Sequence, residues 1–248
     1  MPKPAKSYEL SQAISDKPYG WTAAFTVQHT PSAYKVLIKA KVNPAGKVTA
    51  NQLKKVQERT SLEFARYWDA RFLLKDAKGN STPLNVTLKF VTEKPHLTIA
   101  LNPGDGRDNL TTWYVESAPQ DRAHELGHQL GMKDEYLDAA APNRDHPQDP
   151  GVKTDHSLMG NYYEEGEGRA DVKLRHGRVL ATAISSVTGR KLTAQMSPNY
   201  TVRSGDTLAS IALRVYGSTQ KAEALYQLNK AVIPADRKLK PGTALRLK

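Results

Sequence analysis

Apolar residues in the central part of the chain follow two different periods, which predicts a domain with both strands and helices. Residues 34–42 alternate apolar and polar side chains, as a half-buried strand does. Residues 51–72 instead place Leu53, Val56 and Trp68 at helical spacing. The same criteria predict strands at residues 84–91, 96–101 and 111–115, and helices at residues 120–131 and 170–187. This order predicts an α+β fold with a mixed, mostly parallel sheet that includes an edge strand.

The segments on either side of this pattern differ from it in composition. Residues 1–33 are rich in Ser, Pro and Lys, and we predict a tail or a loosely packed lead-in to a domain at residues 34–190. Residues 191–198 are polar and are predicted to be a linker. Residues 199–248 then show a short strand, two helices and a closing strand, which predicts a small βααβ domain.

The charge and composition narrow the classes of partner and of metal ligand. The formal net charge is +11 and the pI is about 9.6, which favours an anionic partner. The basic residues are scattered and form no nucleic-acid-binding motif, so nucleic acid is not a predicted partner. No apolar run is long enough for membrane insertion. Because the chain has no cysteine, nitrogen and oxygen atoms must hold any metal.

The N-terminus carries basic residues without an apolar core after them, so no secretory signal peptide is visible. Three explanations fit this pattern: the protein stays in the cytoplasm, it leaves by a route that needs no signal peptide, or a leader is missing from the sequence. Our hypothesis is the second, in which a bacterial protein is cytoplasmic until it is exported by a signal-peptide-independent route.

One short segment carries the features of a catalytic metal site. His124 and His128 are four residues apart, so on a helix both imidazoles lie on one face and can reach one zinc ion. Glu125 projects beside them, where it can accept a proton from a metal-activated water. Gly131 can end the helix in a left-handed turn that sends the chain back toward the metal. Asp134 then follows at a spacing that suits a third ligand.

The full string H-E-x-x-H-x-x-G-x-x-D resembles the metzincin clan of metallopeptidases, and the likeness extends over about residues 34–187. The resemblance implies a zinc peptidase with a mixed sheet, an active-site helix and a C-terminal helix. It implies that Ser157-Leu158-Met159-Gly160 is the tight turn that places Met159 beneath the metal. It also implies that the strand at Thr112 to Glu116 binds substrate as an added strand.

Three further residues are candidates for supporting roles in this site. Glu135 adjoins Asp134 and is the alternative third ligand. In the clan a tyrosine often follows the methionine at two residues, where Asn161 stands here, so both a transition-state role and a packing role stay open for Tyr162. His176, on the last predicted helix of the domain, binds the oxyanion, orients Asp134 or Glu135, or is an ordinary packed histidine.

The C-terminal segment resembles the LysM module over nearly its whole length. The matching positions are Tyr200, Val202, Gly205, Asp206, Thr207, Leu208, Ile211, Ala212, Leu228, Asn229, Pro241, Gly242 and Leu245. Asp206 is predicted to cap the helix that follows it. The resemblance implies a groove for N-acetylglucosamine-containing glycans such as peptidoglycan, between Gly205–Leu208 and Asn229–Ile233. Some LysM modules of contractile particles dock proteins instead.

These features together predict a zinc-dependent metallopeptidase that LysM targets to peptidoglycan, with a peptide or protein as its substrate. The missing signal peptide is compatible with an exported effector. The alternative is a structural or docking component of a contractile injection apparatus, with LysM as its anchor to a protein of that apparatus. The presence of Glu125 favours the enzyme, because a structural zinc site needs no such carboxylate.

Overall fold

A computed structural model describes residues 5–247. Ten strands and six α-helices are assigned in this part of the chain. In chain order they are β1 Lys6–Asp16, β2 Tyr19–His29, β3 Tyr34–Pro44, α1 Ala50–Trp68, β4 Phe72–Asp76, β5 Ser81–Phe90, β6 Leu97–Asn102, β7 Thr112–Tyr114, α2 Pro119–Gln129, α3 Tyr162–Glu165, α4 Leu174–Thr188, β8 Leu192–Met196, β9 Asn199–Thr201, α5 Leu208–Tyr216, α6 Ala222–Leu228 and β10 Ala244–Arg246. None of the helices described here has the length and apolarity that a membrane crossing requires.

The chain divides into two compact units. The first contains the residues up to Lys133 together with Leu174–Gln195. The second contains Asp134–Lys173 together with the residues from Met196 onward. The segment that follows the histidine motif, His124 to His128, therefore belongs to the same unit as the C-terminal βααβ domain.

The first unit is built on a mixed sheet of eight strands. Its main path runs β1-β2-β3-β5-β4-β8, and β6 joins β3 and carries β7 on its other side. Strand β3 is parallel to both β5 and β6, and β6 is parallel to β7. The pairs β1–β2, β2–β3 and β4–β5 are antiparallel. The predicted α+β class and mixed sheet are confirmed. The sheet is not mostly parallel as predicted, because three of these six pairs are antiparallel. The metzincin fold itself stays a prediction.

The N-terminal segment is a long hairpin and not the predicted tail. Strands β1 and β2 pair over eleven residues each, and β2 continues the sheet onto β3. Edge strand β1 buries few side chains, so its sequence is mostly polar. Strand β2 does show a period of two, because Ala23, Phe25 and Val27 are buried on one face. This alternation was not recognised in the sequence because the segment is rich in Ser, Pro and Lys.

Three other boundaries differ from the predictions. Helix α1 ends at Trp68, and the residues predicted to extend it include the start of β4. Helix α4 begins at Leu174 because Asp171 pairs with Ser157 in a parallel bridge. The predicted linker at residues 191–198 contains β8, which lies beside β4.

The second unit contains the predicted βααβ domain. Strands β9 and β10 are antiparallel, and α5 and α6 connect them. Its core is formed by Tyr200, Val202, Leu208, Ile211, Leu225, Ile233 and Leu245. Asp206 does not cap α5 as predicted, because its carboxylate accepts hydrogen bonds from the Tyr200 hydroxyl at 2.9 Å and from the Arg203 N–H at 2.7 Å. Thr207 caps α5 instead, in a reciprocal pair with Ser210.

Candidate metal centre and glycan groove

Helix α2 carries two of the three predicted metal ligands, His124 and His128, together with the predicted catalytic base Glu125. His124, Glu125 and His128 each place a ligand atom within 4.8 Å of the others. The Glu125 carboxylate lies 4.0 Å from His124 Nε2 and 3.9 Å from His128 Nε2. The two imidazole rings are 5.0 Å apart and nearly perpendicular. The helical spacing therefore brings two imidazole nitrogens and one carboxylate together, as predicted.

The hydrogen bond of His128 leaves its Nε2 atom in the form that a metal needs. His128 Nδ1 lies 2.8 Å from the carbonyl oxygen of Met132. That oxygen can only accept, so Nδ1 carries a proton, and in the neutral imidazole Nε2 then presents a lone pair. Metal-ligating histidines usually donate their second nitrogen to a carbonyl or carboxylate in this way. The donor set and its tautomer fit zinc.

The predicted turn at Gly131 is confirmed and explains how Met132 reaches His128. Gly131 has a φ of +92°. Its N–H donates to His128 O at 2.9 Å, and the Met132 N–H donates to Gly127 O at 3.0 Å. These two bonds form a Schellman motif. The left-handed position of this motif, occupied here by Gly131, favours glycine. The same turn that ends the helix thus places the carbonyl that fixes the imidazole of His128.

A buried ion pair fixes α2 beside β7. Arg122 Nε lies 3.5 Å from Asp108 Oδ2, and both side chains are almost fully buried. Arg122 Nη2 also donates to the carbonyl oxygens of Tyr114 at 2.6 Å and of Ser117 at 2.8 Å. Because Arg122 is two residues before His124, these bonds set the position of the first turn of α2. Neither member of the pair was predicted from the sequence.

Strand β7 is not available as the predicted substrate-binding edge, Thr112 to Glu116. The backbone groups of Thr112 and Tyr114 face away from β6, and they already have partners. Thr112 exchanges backbone hydrogen bonds with Asn109. The Tyr114 N–H donates to the Asp108 carboxylate at 2.8 Å, and its carbonyl accepts from Arg122. An added strand would need these groups, so this prediction is wrong.

The buried carboxylate predicts a pH dependence of stability. Burial raises the pKa of Asp108 to about 6, whereas an unfolded aspartate titrates near about 3.9. Between these values the folded state retains a proton that the unfolded state has lost. Stability therefore falls as the pH rises from about 4 to about 6, by up to about 3 kcal/mol for this group.

Asp108→Asn removes this titration and so isolates it. We expect urea unfolding of the metal-free protein to show wild type losing stability relative to Asp108→Asn across that pH window. A difference between the two proteins that stays constant from pH 4 to pH 7 would contradict the raised pKa.

Asp134, the predicted third ligand, lies in the second unit and has an oriented carboxylate. Its Oδ2 accepts from the Tyr136 hydroxyl at 3.2 Å and lies 3.6 Å from Nη2 of Arg144. Arg144 is fully buried, and it also lies 3.4 Å from Asp138 and donates to the Tyr136 carbonyl at 3.1 Å. Arg144 therefore orients the carboxylates of Asp134 and Asp138 and offsets part of their negative charge. Its importance could not be inferred from the loop sequence.

The predicted tight turn at residues 157–160 is present, and Met159 is fully buried. The Gly160 N–H donates to Ser157 O at 3.1 Å, and the Glu135 N–H donates to Met159 O at 2.8 Å. The Ser157 hydroxyl donates to the Glu135 carboxylate. Glu135 thus holds the Met159 turn, and the choice between Asp134 and Glu135 as the third ligand stays a prediction.

The remaining two candidates are both buried. Tyr162 begins α3, and its ring lies 4.9 Å from that of Tyr163. His176 is 2% exposed, and its ring lies 5.8 Å from Trp68. Trp68 in turn donates from Nε1 to the carbonyl of Ala123 at 3.0 Å, just before His124. A transition-state role for Tyr162 and a supporting role for His176 stay predictions.

A groove of about 620 Å³ opens on the surface of the βααβ domain. It is lined by Asp206, Thr207, Leu208, Ala209, Ala222, Arg237, Lys238 and Leu239. Three of the residues predicted to bind glycan are among them, and Gly205, with a φ of +80°, forms the adjoining turn. The groove is also lined by Arg237–Leu239, and these residues were not predicted to bind glycan.

Asn229 and Ile233, predicted to face the glycan, belong to the core of the domain. Ile233 is 3% exposed. The Asn229 amide donates to Leu225 O and to Arg246 O, each at 2.9 Å, and accepts from the Arg246 N–H at 2.8 Å. Asn229 therefore ties α6 to β10, and these two assignments are corrected from contact residues to structural residues.

Comparison with known proteins identifies one of the two parts of the chain. The family model described as LysM domain matches residues 200–248, so the chain carries a LysM domain there. This domain implies binding to peptidoglycan or a related glycan. The potassium binding protein Kbp of Escherichia coli O6:H1 strain CFT073 is 39% identical over 54 residues. The match covers 22% of this chain and 36% of that protein, so the similarity spans about a third of the relative. No solved structure matches the chain.

Proposed function

We propose that the chain is a zinc-dependent metallopeptidase that its LysM domain holds on peptidoglycan. The observation that carries the proposal is the cluster of His124, Glu125 and His128, in which Met132 O fixes the tautomer of His128. Such a histidine pair is suited to hold a metal, and the adjacent carboxylate favours a catalytic over a purely structural site, which needs no such carboxylate.

The proposed chemistry assigns one task to each residue. His124, His128 and Asp134 would hold the metal, and the spacing of Asp134 after Gly131 supports its place among them. Zinc, when bound, supplies a Lewis acid for the scissile carbonyl and makes a water molecule more acidic. Glu125 takes the proton from the attacking water and delivers it to the leaving amine. Arg122, Trp68 and the Gly131 turn keep the helix in place.

Metal binding tests the proposed site directly. Metal-stripped protein should take up one zinc ion per chain, and His128→Ala should lose that ion. Zinc content after dialysis, measured by elemental mass spectrometry, gives the stoichiometry. A wild-type protein that retains no zinc would overturn the proposed function.

The LysM domain would supply the location of the enzyme. Holding the enzyme on a polymer raises the local concentration of the peptide bonds attached to it. From Asn199 onward the chain has nine Lys or Arg and three Asp or Glu, a net charge of +6, which suits an acidic wall polymer. Peptides of the cell wall are therefore the proposed substrate class, and export of the protein as an effector is the proposed route to them.

A bulky side chain in the groove should weaken binding to the wall. Ala209 is exposed and lines the groove, so Ala209→Trp should block it and reduce binding of the full chain to isolated sacculi about tenfold or more. Ala224→Trp is the matched control, because Ala224 is exposed on α6 but does not line the groove. Equal binding by the two variants in a sedimentation assay would count against this groove as the glycan site.

A further inference from the structure

The N-terminal hairpin brings an aromatic side chain to one of the proposed zinc ligands. Trp21, on β2, donates from Nε1 to the carbonyl oxygen of His128 at 2.8 Å. Its ring lies 5.1 Å from the His128 imidazole at an angle of 69°, an edge-to-face contact. One side chain therefore contacts both the backbone and the ring of the same histidine.

The backbone contact occupies a carbonyl at the end of a helix. Carbonyls of the last turn have no partner inside the helix. The His128 carbonyl receives the Gly131 N–H at 2.9 Å and the Trp21 indole at 2.8 Å. Gln129 adds a second link to the hairpin, since its Nε2 donates to Ala24 O at 2.7 Å. The end of α2 is thus fixed to β2 by two side-chain hydrogen bonds.

The ring contact limits how the imidazole can turn. Met132 O holds His128 at Nδ1, and the edge-to-face contact with Trp21 restrains the plane of the ring. Rotation about the Cβ–Cγ bond would break at least one of these contacts. Zinc affinity depends on such outer contacts, because they hold the ligand nitrogen in its bound direction before the metal arrives.

We propose that Trp21 is a positioning residue for His128 in the zinc site. This inference rests on the proposed metallopeptidase function. Trp21 acts through His128, so it is not a catalytic residue. Through Trp21, the hairpin that was predicted to be a loose tail helps to position the proposed zinc ligand His128.

Zinc affinity of full-length variants tests the proposal. Trp21→Leu removes both contacts and should weaken zinc binding by about 10–100-fold in competition with a chromophoric chelator. Trp21→Phe keeps an aromatic ring but loses the indole N–H, so its affinity should lie between those of wild type and Trp21→Leu. The visible absorption of the cobalt-loaded protein should change in the same order, since it reports ligand geometry.

Phe25→Leu is the matched control for loss of hairpin packing. Phe25 is fully buried on the same face of β2, four residues from Trp21. This variant should lower thermal stability yet keep wild-type zinc affinity within about twofold, a change well below the loss expected for an outer contact. Wild-type affinity and spectrum in Trp21→Leu, or an equal loss of zinc in Phe25→Leu, would overturn the positioning role. Absence of zinc binding in wild type would overturn the proposed function as well.

Discussion

Glu125→Gln should reduce peptide hydrolysis by about 10²–10⁴-fold while zinc stays bound, because the amide cannot accept the proton of the attacking water. The Glu125 carboxylate lies 3.9–4.0 Å from the Nε2 atoms of His124 and His128. Glutamine has nearly the same shape, so the helix and both histidines should keep their positions. The rate of fragment release, measured beside zinc content, separates loss of the base from loss of the metal.

Glu116→Gln is the control for this substitution. It makes the same change at a residue outside the proposed site and should leave hydrolysis within about twofold of wild type, as surface changes generally do. Undiminished hydrolysis by Glu125→Gln would show that Glu125 is not the general base, even if zinc is present.

Arg122→Met should lower the free energy of unfolding by about 3–5 kcal/mol, because it leaves the buried Asp108 carboxylate without its partner. Methionine retains most of the aliphatic packing, so the loss reports the charge and its hydrogen bonds. The carbonyls of Tyr114 and Ser117 would also lose their donor. Urea unfolding of the metal-free protein measures the change.

Two controls isolate the effect of burial. Lys54→Met breaks an exposed pair with Glu58 and should cost less than about 1 kcal/mol. Combining Arg122→Met with Asp108→Asn removes both charges, and this double variant should regain part of the stability lost in Arg122→Met. A cost for Arg122→Met no larger than that for Lys54→Met would show that the pair does not hold α2.

The placement of the two histidines on helix α2 could be predicted from the sequence because its information is local. A spacing of four residues on a helix places His124 and His128 side by side whatever the rest of the fold does. A glycine at position 131 likewise predicts the left-handed turn that ends the helix. The LysM segment was equally accessible, since its strands, turns and core residues lie within 50 consecutive positions.

The contacts that support these elements could not be predicted because they join distant parts of the chain. Trp21 meets His128 across 107 positions, and nothing near either residue indicates the pairing. Strand β7 was predicted to be an open edge. The sequence does not show that Asp108 and Arg122 are buried beside the strand and bond to its backbone. Asn229 matched a ligand-contact position of the LysM pattern, yet its amide bonds to Arg246 in the core.

We propose that this chain hydrolyses peptide bonds of the cell wall with zinc. Purified sacculi incubated with zinc-loaded protein and with chelator-treated protein, followed by mass spectrometry of the released fragments, test it most directly. We expect stem-peptide fragments with new termini from the zinc-loaded protein alone. Zinc-loaded protein that sediments with sacculi but releases no fragment would contradict a peptidase acting on the wall and would favour LysM as a docking anchor.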